Sequence, residues 1–509
     1  MSKQLSSASI AAPGFFGLNT QESSITLAAG FALQADNCVI DKYGRLGARK
    51  GWYYVAESTG VDLKGAYRFI DIDGAEYFGV WSDTSFYIYS GGSLTPITYS
   101  GTQTIADGNW KFVTLNDHAY GFQAGYEPIY FNPTAGVLDD MTASPSASGT
   151  PPQANVCSSA YGRVWAANTA TNKTTLYWSN LLDGASWNSG DSGSLDISSI
   201  LVAGNDEITA IGAQNGRLII FCSDNIIIFD DTSSSTSFDP SNMQMVEVIK
   251  GIGCIARDSV QNTGTDILFL SKTGLQSLGR VIQEKSQPMR DISKNVRDDI
   301  VDAINASTNA EIRSAYSAGE AFYLLYFPAI RRIYCFDMRQ PLQDGSARVT
   351  VWDNQTHSNI MGNVDGGLYF TNTDGLAIYG GYQDNGQAYR LKYYTNYFDF
   401  GNATQVKILK RLAVTVIGGS NQDFVLKSGF DYTDSYQSFA SRLSAKTISE
   451  YGEGEYNIAE YESGTLAETA RAAAGGSGEV LQVGFEATVN GSELSIQKMD
   501  IFVKQGRIF

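Results

Sequence analysis

The segment EITAIGAQNGRLIIFCSDNIIIFDD, residues 207–231, indicates the fold of this chain more clearly than any other. Apolar runs rich in isoleucine at 208–213, 217–222 and 226–229 are separated by a Gln-Asn-Gly turn and a Ser-Asp-Asn turn. Short apolar runs bounded by Asn, Gly and Asp are typical of strands that are buried on both faces. The segment therefore predicts three strands joined by two tight turns.

The same unit recurs between residues 62 and 390. The last apolar strand of each unit aligns at intervals of about 42 to 56 residues, at Ile88, Tyr130, Tyr177, Ile228, Leu278, Tyr334 and Tyr379. Four-stranded propeller blades have about this length. We therefore predict an all-β fold in which residues 62–390 form a β-propeller of six or seven blades. A helix inserted near 291–306 is predicted from the apolar stripe Ile292, Val296, Ile300, Val301 and Ile304.

The two ends of the chain lack the repeat. Residues 1–61 are predicted to form an extended arm and first strands, which pack either with the C-terminal domain or with a neighbouring subunit. Residues 391–509 alternate apolar and polar side chains in the manner of an antiparallel β-sandwich. An acidic, small-residue-rich loop is predicted at 449–478, as a solvated face or as a lumen or partner contact through Glu450, Glu453, Glu455, Glu460 and Glu462.

Composition limits the function. The net charge is −17, and nucleic-acid recognition needs clustered Lys and Arg, so sequence-specific DNA binding is not expected. An acidic wall would instead let DNA pass without binding it.

The five cysteines contain no C-x-x-C pair and are expected to be reduced thiols of a protein made in a cytosol. No apolar stretch of membrane-spanning length occurs, and the first residues lack a signal-peptide pattern, so a soluble protein is expected.

The sequence offers no constellation for catalysis. The two histidines, His118 and His357, have no second ligand at metal spacing. No nucleophile elbow, phosphate-binding loop or zinc-protease motif occurs. We therefore predict no catalytic, cofactor-binding or metal-binding residues, no cofactor and no enzyme activity.

The chain resembles the tail nozzle (tail tube or hub) proteins of short-tailed bacteriophages, the podoviruses. The resemblance begins in the N-terminal region, at Gly17, Leu18, Asn19, Thr20, Leu27, Gly30, Ala35, Asn37, Asp41, Gly44, Arg49 and Gly51. It continues through ITAIGAQNGRLIIFCSDNIIIFDD, GIGCIARDSV, LFLSKTGLQSLG, the inserted helix and the final MDIFVKQGRIF. The resemblance covers most of the chain.

What the resemblance implies is a structural protein of the virion tail, made in the host bacterial cytoplasm. Such proteins form a homo-hexamer below the head-to-tail adaptor protein, support tail fibres or tailspikes, meet a needle or plug protein, and pass double-stranded DNA during genome ejection. Phe15, Phe16, Leu18 and Asn19 are the candidate subunit or adaptor contacts. The alternative is a receptor-binding or glycan-binding propeller of a phage tail, with a depolymerase as one form of it, because tyrosine-rich surfaces also bind sugars.

Overall fold

The structure is a computed structural model that describes residues 5–57, 60–201, 206–231, 238–285, 291–364, 366–419, 422–443, 467–473 and 475–508. Strands dominate these residues, and the chain is described here in sequence order.

Six strands precede the first blade. The first five belong to a C-terminal sandwich and the sixth belongs to the propeller. They are β1 (Leu5–Ala11), β2 (Gly17–Leu18), β3 (Phe31–Asp36), β4 (Cys38–Ile40), β5 (Leu46–Ala48) and β6 (Trp52–Glu57).

Four antiparallel blades of four strands follow, each a meander. The first contains β7 (Leu63–Ile70), β8 (Glu76–Ser82), β9 (Phe86–Ser90) and β10 (Ser93–Ile97). The second contains β11 (Lys111–Leu115), β12 (His118–Phe122), β13 (Ile129–Asn132) and β14 (Val137–Asp140). The third contains β15 (Ala154–Ala160), β16 (Arg163–Thr169), β17 (Thr175–Trp178) and β18 (Gly193–Asp196). The fourth contains β19 (Ile208–Gln214), β20 (Arg217–Cys222), β21 (Asn225–Asp231) and β22 (Met243–Lys250).

The next unit is smaller. It has three strands, β23 (Gln261–Asn262), β24 (Ile267–Ser271) and β25 (Gly274–Ser277), followed by helices α1 (Leu278–Glu284) and α2 (Arg297–Asn305). The prediction of a strand at Leu278 was wrong, because Ser277 accepts a hydrogen bond from the Arg280 backbone N–H and caps a helix there. The predicted helix at 291–306 is shorter than expected, and Ile292, Val296 and Ile300 are buried as its stripe indicated.

Two further four-stranded blades complete the ring. The fifth contains β26 (Arg313–Ser317), β27 (Phe322–Phe327), β28 (Arg332–Asp337) and β29 (Arg348–Trp352). The sixth contains β30 (Asn359–Val364), β31 (Gly367–Asn372) and β32 (Gly375–Tyr379), and its outer strand is β6 from the N-terminal region. In that closing pair Tyr53 stands opposite Ile378.

Hydrophobic contacts close the ring. Each sheet shares a buried cluster with the next, and the circle ends where Leu63 and Phe78 of the first blade pack with Tyr369 and Leu376 of the sixth. The predicted β-propeller is therefore confirmed, with six four-stranded blades and a three-stranded sheet between the fourth and fifth.

The apolar strands that revealed the repeat are the third strands of the six blades rather than the last. In the fourth blade, β21 is buried over Asn225–Phe229, whereas the outer strand β22 is mostly exposed or half-buried. An outer strand has solvent on one edge and needs no continuous apolar run, so the alignment on apolar residues stopped one strand early.

The C-terminal strands form a sandwich of two sheets with the N-terminal ones. The strands are β33 (Tyr389–Thr395), β34 (Gln405–Gly418), β35 (Asp423–Phe430), β36 (Gln437–Arg442), β37 (Ala467–Ala472), β38 (Ser477–Gly478), β39 (Leu481–Val489) and β40 (Leu494–Ile508). One sheet has the order β37-β34-β40-β5-β4, and β1 and β38 pair at its sides. The other continues β2-β3-β33-β39-β35-β36. Their facing side chains, such as Val414, Ile501 and Phe485, belong to one core.

A continuous ten-stranded sheet joins this sandwich to the propeller. Strand β29 of the fifth blade pairs in parallel with β2, where Gly17 lies opposite Val349. A side chain at Gly17 would place its Cβ 2.4 Å from the Val349 carbonyl oxygen, and the backbone there has φ of +81°, so glycine is required.

The observed boundaries differ from the predicted ones in three places. Strand β6 lies within the predicted arm 1–61 but belongs to the propeller, because it pairs with β32. The propeller ends at Tyr379, and β33 pairs with the sandwich strand β39. The predicted acidic loop 449–478 is not all loop, because β37 and β38 within it pair with β34.

Candidate functional site

A cavity of about 540 Å³ lies where the innermost strands of four blades face one another. Strands β7, β11, β26 and β30 supply most of its wall, and Trp81, residues 108–110 and the segment 257–261 supply the rest. We call this space the axial cavity. Its volume lies within the range of about 300–1,000 Å³ that is common for small-molecule sites.

The deep wall of the axial cavity carries an ion cluster. The carboxylate of Asp258 accepts hydrogen bonds from Lys111 Nζ at 3.0 Å and from Arg257 Nη2 at 2.8 Å. Arg313 Nη1 lies 3.4 Å from the second oxygen of the same carboxylate. Three cations therefore surround one anion, and the nearby carboxylates of Asp107 and Glu311 offset part of the excess positive charge.

The fold places these residues in two ways. Lys111 and Arg313 are the first residues of the inner strands β11 and β26. Arg257 and Asp258 lie in a single 3-10 turn, Arg257–Ser259. Two interactions fix that turn: the Tyr323 hydroxyl donates to the Ser259 carbonyl at 2.6 Å, and the Ser314 hydroxyl donates to the Asp258 carbonyl at 2.7 Å.

The pKa values of the charged groups in the cluster are shifted by burial and by their close approach to one another. Burial alone would raise the pKa of Asp258, but the charges of Arg257, Lys111 and Arg313 hold that pKa well below its usual value. Burial lowers the pKa of Arg313, and the like charge of Arg257 lowers it further against the opposing effect of Asp258. Asp258 is thus ionised at neutral pH, and it neutralises only part of the surrounding charge.

The other two basic residues of the cavity wall have acidic partners outside it. Lys64 Nζ donates to Asp62 at 2.6 Å and lies 3.8 Å from Asp83. Arg68 Nη2 donates to Glu76 at 2.5 Å. Among the described residues that line the cavity, Asp258 is the sole carboxylate.

A second depression, of about 740 Å³, lies on the third blade. The described residues that line it include no charged side chain, and most carry hydroxyl or amide groups. Two half-buried aromatic side chains, Tyr177 and Trp187, contribute to the wall. A neutral, hydroxyl-rich groove with aromatic walls has the chemistry of a carbohydrate platform.

The candidate contact residues at the N-terminus are mostly internal. Phe15, Leu18 and Asn19 are buried in the chain's own core, and the Phe15 ring stands edge-on to Tyr393 at 6.0 Å. Phe16 is half-buried and tilts against Phe31. The structure therefore corrects the prediction that these residues offer a surface to another subunit, since their neighbours belong to the same chain.

The candidate lumen residues cannot be placed in the same way. Glu450, Glu453, Glu455, Glu460 and Glu462 lie outside the described residues. Their role as lumen or partner contacts stays a prediction.

No other cluster of ligands stands out in the described part of the chain. Groups of three or more His, Cys, Asp or Glu side chains that could hold a metal ion are absent from those residues. All five cysteines are buried free thiols, and burial raises the pKa of Cys157 to about 12. His357 is buried, with its ring stacked on Phe370 at 4.1 Å, Nδ1 2.8 Å from Asn372 Oδ1 and Nε2 3.1 Å from Gln355 Oε1.

His357 is expected to make stability depend on pH. Burial lowers its pKa to about 4, whereas an unfolded histidine has a pKa of about 6.5. As pH falls from about 6.5 to 4, the unfolded state binds a proton that the folded state does not, so folding loses stability in that window. Between pH 7 and pH 4.5 the wild type should lose about 2 kcal/mol more than His357→Gln in urea unfolding.

His118→Gln is the control for this experiment, because His118 is only half-buried. Burial also lowers the pKa of His118, but this side chain is less buried than His357, so His118→Gln should reduce the pH dependence less than His357→Gln does. Equal pH dependence in the wild type and His357→Gln would contradict the assignment of the effect to His357.

Sequence analysis missed the ion cluster, although two signals were present. Arg257 and Asp258 form an Arg-Asp pair inside the apolar segment GIGCIARDSV, and a basic residue begins two inner strands. Because the four residues are separated by up to about 200 positions, their convergence depends on the closed ring and cannot be derived from local pattern.

None of the helices in the described residues has the length and apolar character that crossing a membrane requires. No protein-family model and no curated protein matches the chain.

Several solved structures share an arrangement of strands with it. The extracellular domain of a candidate one-component system from B. thetaiotaomicron is 12% identical, with a TM-score of 0.42, over 67% of this chain and 41% of that one. A streptogramin B lyase is 12% identical, with a TM-score of 0.35, over 64% of this chain and 97% of that one. The WD40 domain of Neurospora crassa Pan2 is 10% identical, with a TM-score of 0.34, over 65% of this chain and 96% of that one. These likenesses carry no information about what this chain binds or does, and the propeller assignment rests on the strand pairing.

Proposed function

We propose that this chain is a structural subunit of the tail nozzle of a short-tailed bacteriophage. It forms a homo-hexameric ring below the head-to-tail adaptor, conducts double-stranded DNA during ejection, and supports tail fibres or spikes at its side. It acts as a building block of the virion and has no catalytic role.

The observation that carries this proposal is the continuous sheet that joins the propeller to the sandwich. The ten-stranded sheet runs from the fifth blade through N-terminal strands β2 and β3 into the C-terminal strands. A hydrogen-bonded sheet across both halves resists relative motion, which suits a subunit that must hold its shape in a ring. The sequence resemblance described above adds the position of that ring in a phage tail.

The path for DNA is between subunits and not through the propeller. Side chains line the axial cavity, and its volume is about 540 Å³. This space is far too small to admit a DNA duplex, whose major groove alone is about 12 Å wide. A lumen bounded by several copies of an acidic chain, with net charge −17, would instead repel phosphates and allow transit.

Negative-stain imaging of the purified chain, alone and mixed with the adaptor of the same phage, tests the proposal. We expect six-fold rings that join the adaptor and lie coaxial with it. An adaptor from an unrelated long-tailed phage is the control and should not recruit the chain. A chain that stays monomeric in the presence of its own adaptor would contradict the proposal.

One observation favours a second function, carbohydrate binding on the third blade. The groove of about 740 Å³ that includes Tyr177 and Trp187 is uncharged among its described lining residues, and aromatic rings beside hydroxyl groups suit sugars. Binding of the isolated chain to a glycan array, without ring formation, would favour this alternative over the nozzle.

A further inference from the structure

The axial cavity concentrates positive charge in an acidic protein. The chain has 36 Lys and Arg against 53 Asp and Glu, yet five basic side chains and a single carboxylate line this one cavity among the described residues. Lys64 and Arg68 are neutralised by Asp62 and Glu76, so the excess comes from the cluster around Asp258.

Within the cluster, Arg257 and Asp258 form a fixed scaffold, whereas Lys111 keeps unused hydrogen-bond donors. Arg257 is saturated, since it donates to Asp258, to Asn109 and to Asn155 at distances of 2.8 to 3.2 Å. Lys111 makes one hydrogen bond of 3.0 Å, to Asp258, out of the three that an ammonium can donate, and its side chain is 36% exposed. Lys111 is therefore the cation with spare donors, and it lies on the wall of the cavity.

Arg313 complements Lys111 from the facing strand. Its side chain is 14% exposed, and its Nη1 donates to the carbonyl oxygens of Ala310 and Ile312. Among the described residues its Nη2 makes one hydrogen bond, to Asn109 Oδ1 at 3.3 Å, which is long for a charged donor. Arg313 and Lys111 approach opposite oxygens of Asp258, at 3.4 and 3.0 Å, so both lie beside one carboxylate on the cavity wall.

Buried positive charge that is only partly compensated is costly, so the cluster favours an added anion. Oxyanions accept the short, charge-assisted hydrogen bonds that Lys and Arg donate. A volume of about 540 Å³ can hold such an anion with part of its hydration or with a small organic group.

We propose that the axial cavity is a binding site for a small, doubly charged oxyanion of the phosphate type, held by Lys111 and Arg313 and fixed in place by the Arg257–Asp258 scaffold. The site is independent of the nozzle function, because it lies inside one propeller and needs no second subunit.

Calorimetric titration of the full chain with inorganic phosphate at pH 7.5 tests this site, with thermal unfolding as a second measurement. We expect saturable binding of one phosphate per chain and a rise in the unfolding temperature that sodium chloride of equal ionic strength does not produce. Lys111→Gln should weaken phosphate binding by about tenfold, since each lost charge-assisted contact is worth about 1.4 kcal/mol or more.

Lys272→Gln is the matched control. Lys272 is 60% exposed, pairs with Asp224, and does not line the cavity, so its variant should bind phosphate as the wild type does. Lys111→Gln should unfold at nearly the wild-type temperature without phosphate, because its side chain is partly exposed. Equal effects of phosphate and chloride, or undiminished phosphate binding by folded Lys111→Gln, would overturn the proposal.

Discussion

Replacing Arg49 with methionine is expected to destabilise the chain by about 3–5 kcal/mol, because it breaks a buried ion pair at the junction of propeller and sandwich. The guanidinium is 2% exposed, and it donates to both Asp384 oxygens at 2.8 and 2.6 Å and to Asn37 Oδ1 at 2.9 Å. It also lies 4.1 Å from the centre of the Tyr389 ring. Methionine fills similar space but leaves the Asp384 carboxylate without its cation, and Asn37 Oδ1 keeps only the hydrogen bond of 3.3 Å from the Asp353 N–H. Urea unfolding followed by tryptophan fluorescence measures the loss.

Arg217→Met is the control for that experiment. Arg217 is 44% exposed and its pair with Asp230 spans 3.1 Å on the fourth blade, where an exposed pair contributes about 0–1 kcal/mol. If Arg49→Met lowered the free energy of unfolding no more than Arg217→Met does, the stability of the junction would not depend on the Arg49–Asp384 ion pair.

Asp258→Asn is the second change with a large expected effect. It removes the carboxylate that contacts Lys111, Arg257 and Arg313, so three neighbouring cations lose the counter-charge they share. Breaking a buried pair in this way costs about 3–5 kcal/mol. Since the pKa of Asp258 is held well below its usual value, the wild type should keep this contribution at pH 5 and above. Urea unfolding of the wild type and the variant at pH 7 and pH 5 measures the stability lost in the variant and shows whether that loss is the same at both pH values.

Asp230→Asn serves as the matched control, because Asp230 is 33% exposed and has an exposed partner. Its loss should be within about 1 kcal/mol. High salt offers a further comparison: it should shrink the small loss caused by Asp230→Asn, because that pair is exposed, and change the larger loss caused by Asp258→Asn much less, because buried charges are screened weakly. A loss for Asp258→Asn below 1 kcal/mol would mean that the cluster is already compensated by groups outside it.

The propeller could be predicted from sequence because its signal is local and repeated. The three runs around Ile211, Ile219 and Ile227 each form a strand near the predicted limits, since buried third and second strands need continuous apolar residues. The outer strands lack continuous apolar runs, so the sequence pattern does not indicate them. Strand β6 was assigned to the arm for the same reason: its burial is partial, and its partner β32 is more than 300 residues away.

The candidate site was harder to predict than the fold. Phe15, Leu18 and Asn19 are predicted as subunit or adaptor contacts, because sequence pattern does not distinguish burial inside one chain from burial at an interface. The pairing of β2 with β29 makes that distinction. The cluster at Asp258 joins residues from the second blade, the three-stranded sheet and the fifth blade. Such convergence is a property of the closed ring, which sequence pattern does not encode.

The pairing of the two chain ends has a consequence for biosynthesis. Leu5 stands opposite Lys504 in the sandwich, and Tyr53 stands opposite Ile378 in the sixth blade. Strand β1 therefore gains its partner only after β40 has been synthesised, and contacts this distant in sequence form slowly. Until then the nascent chain carries unpaired strand edges, so its yield in a cell should depend on chaperones that cover them.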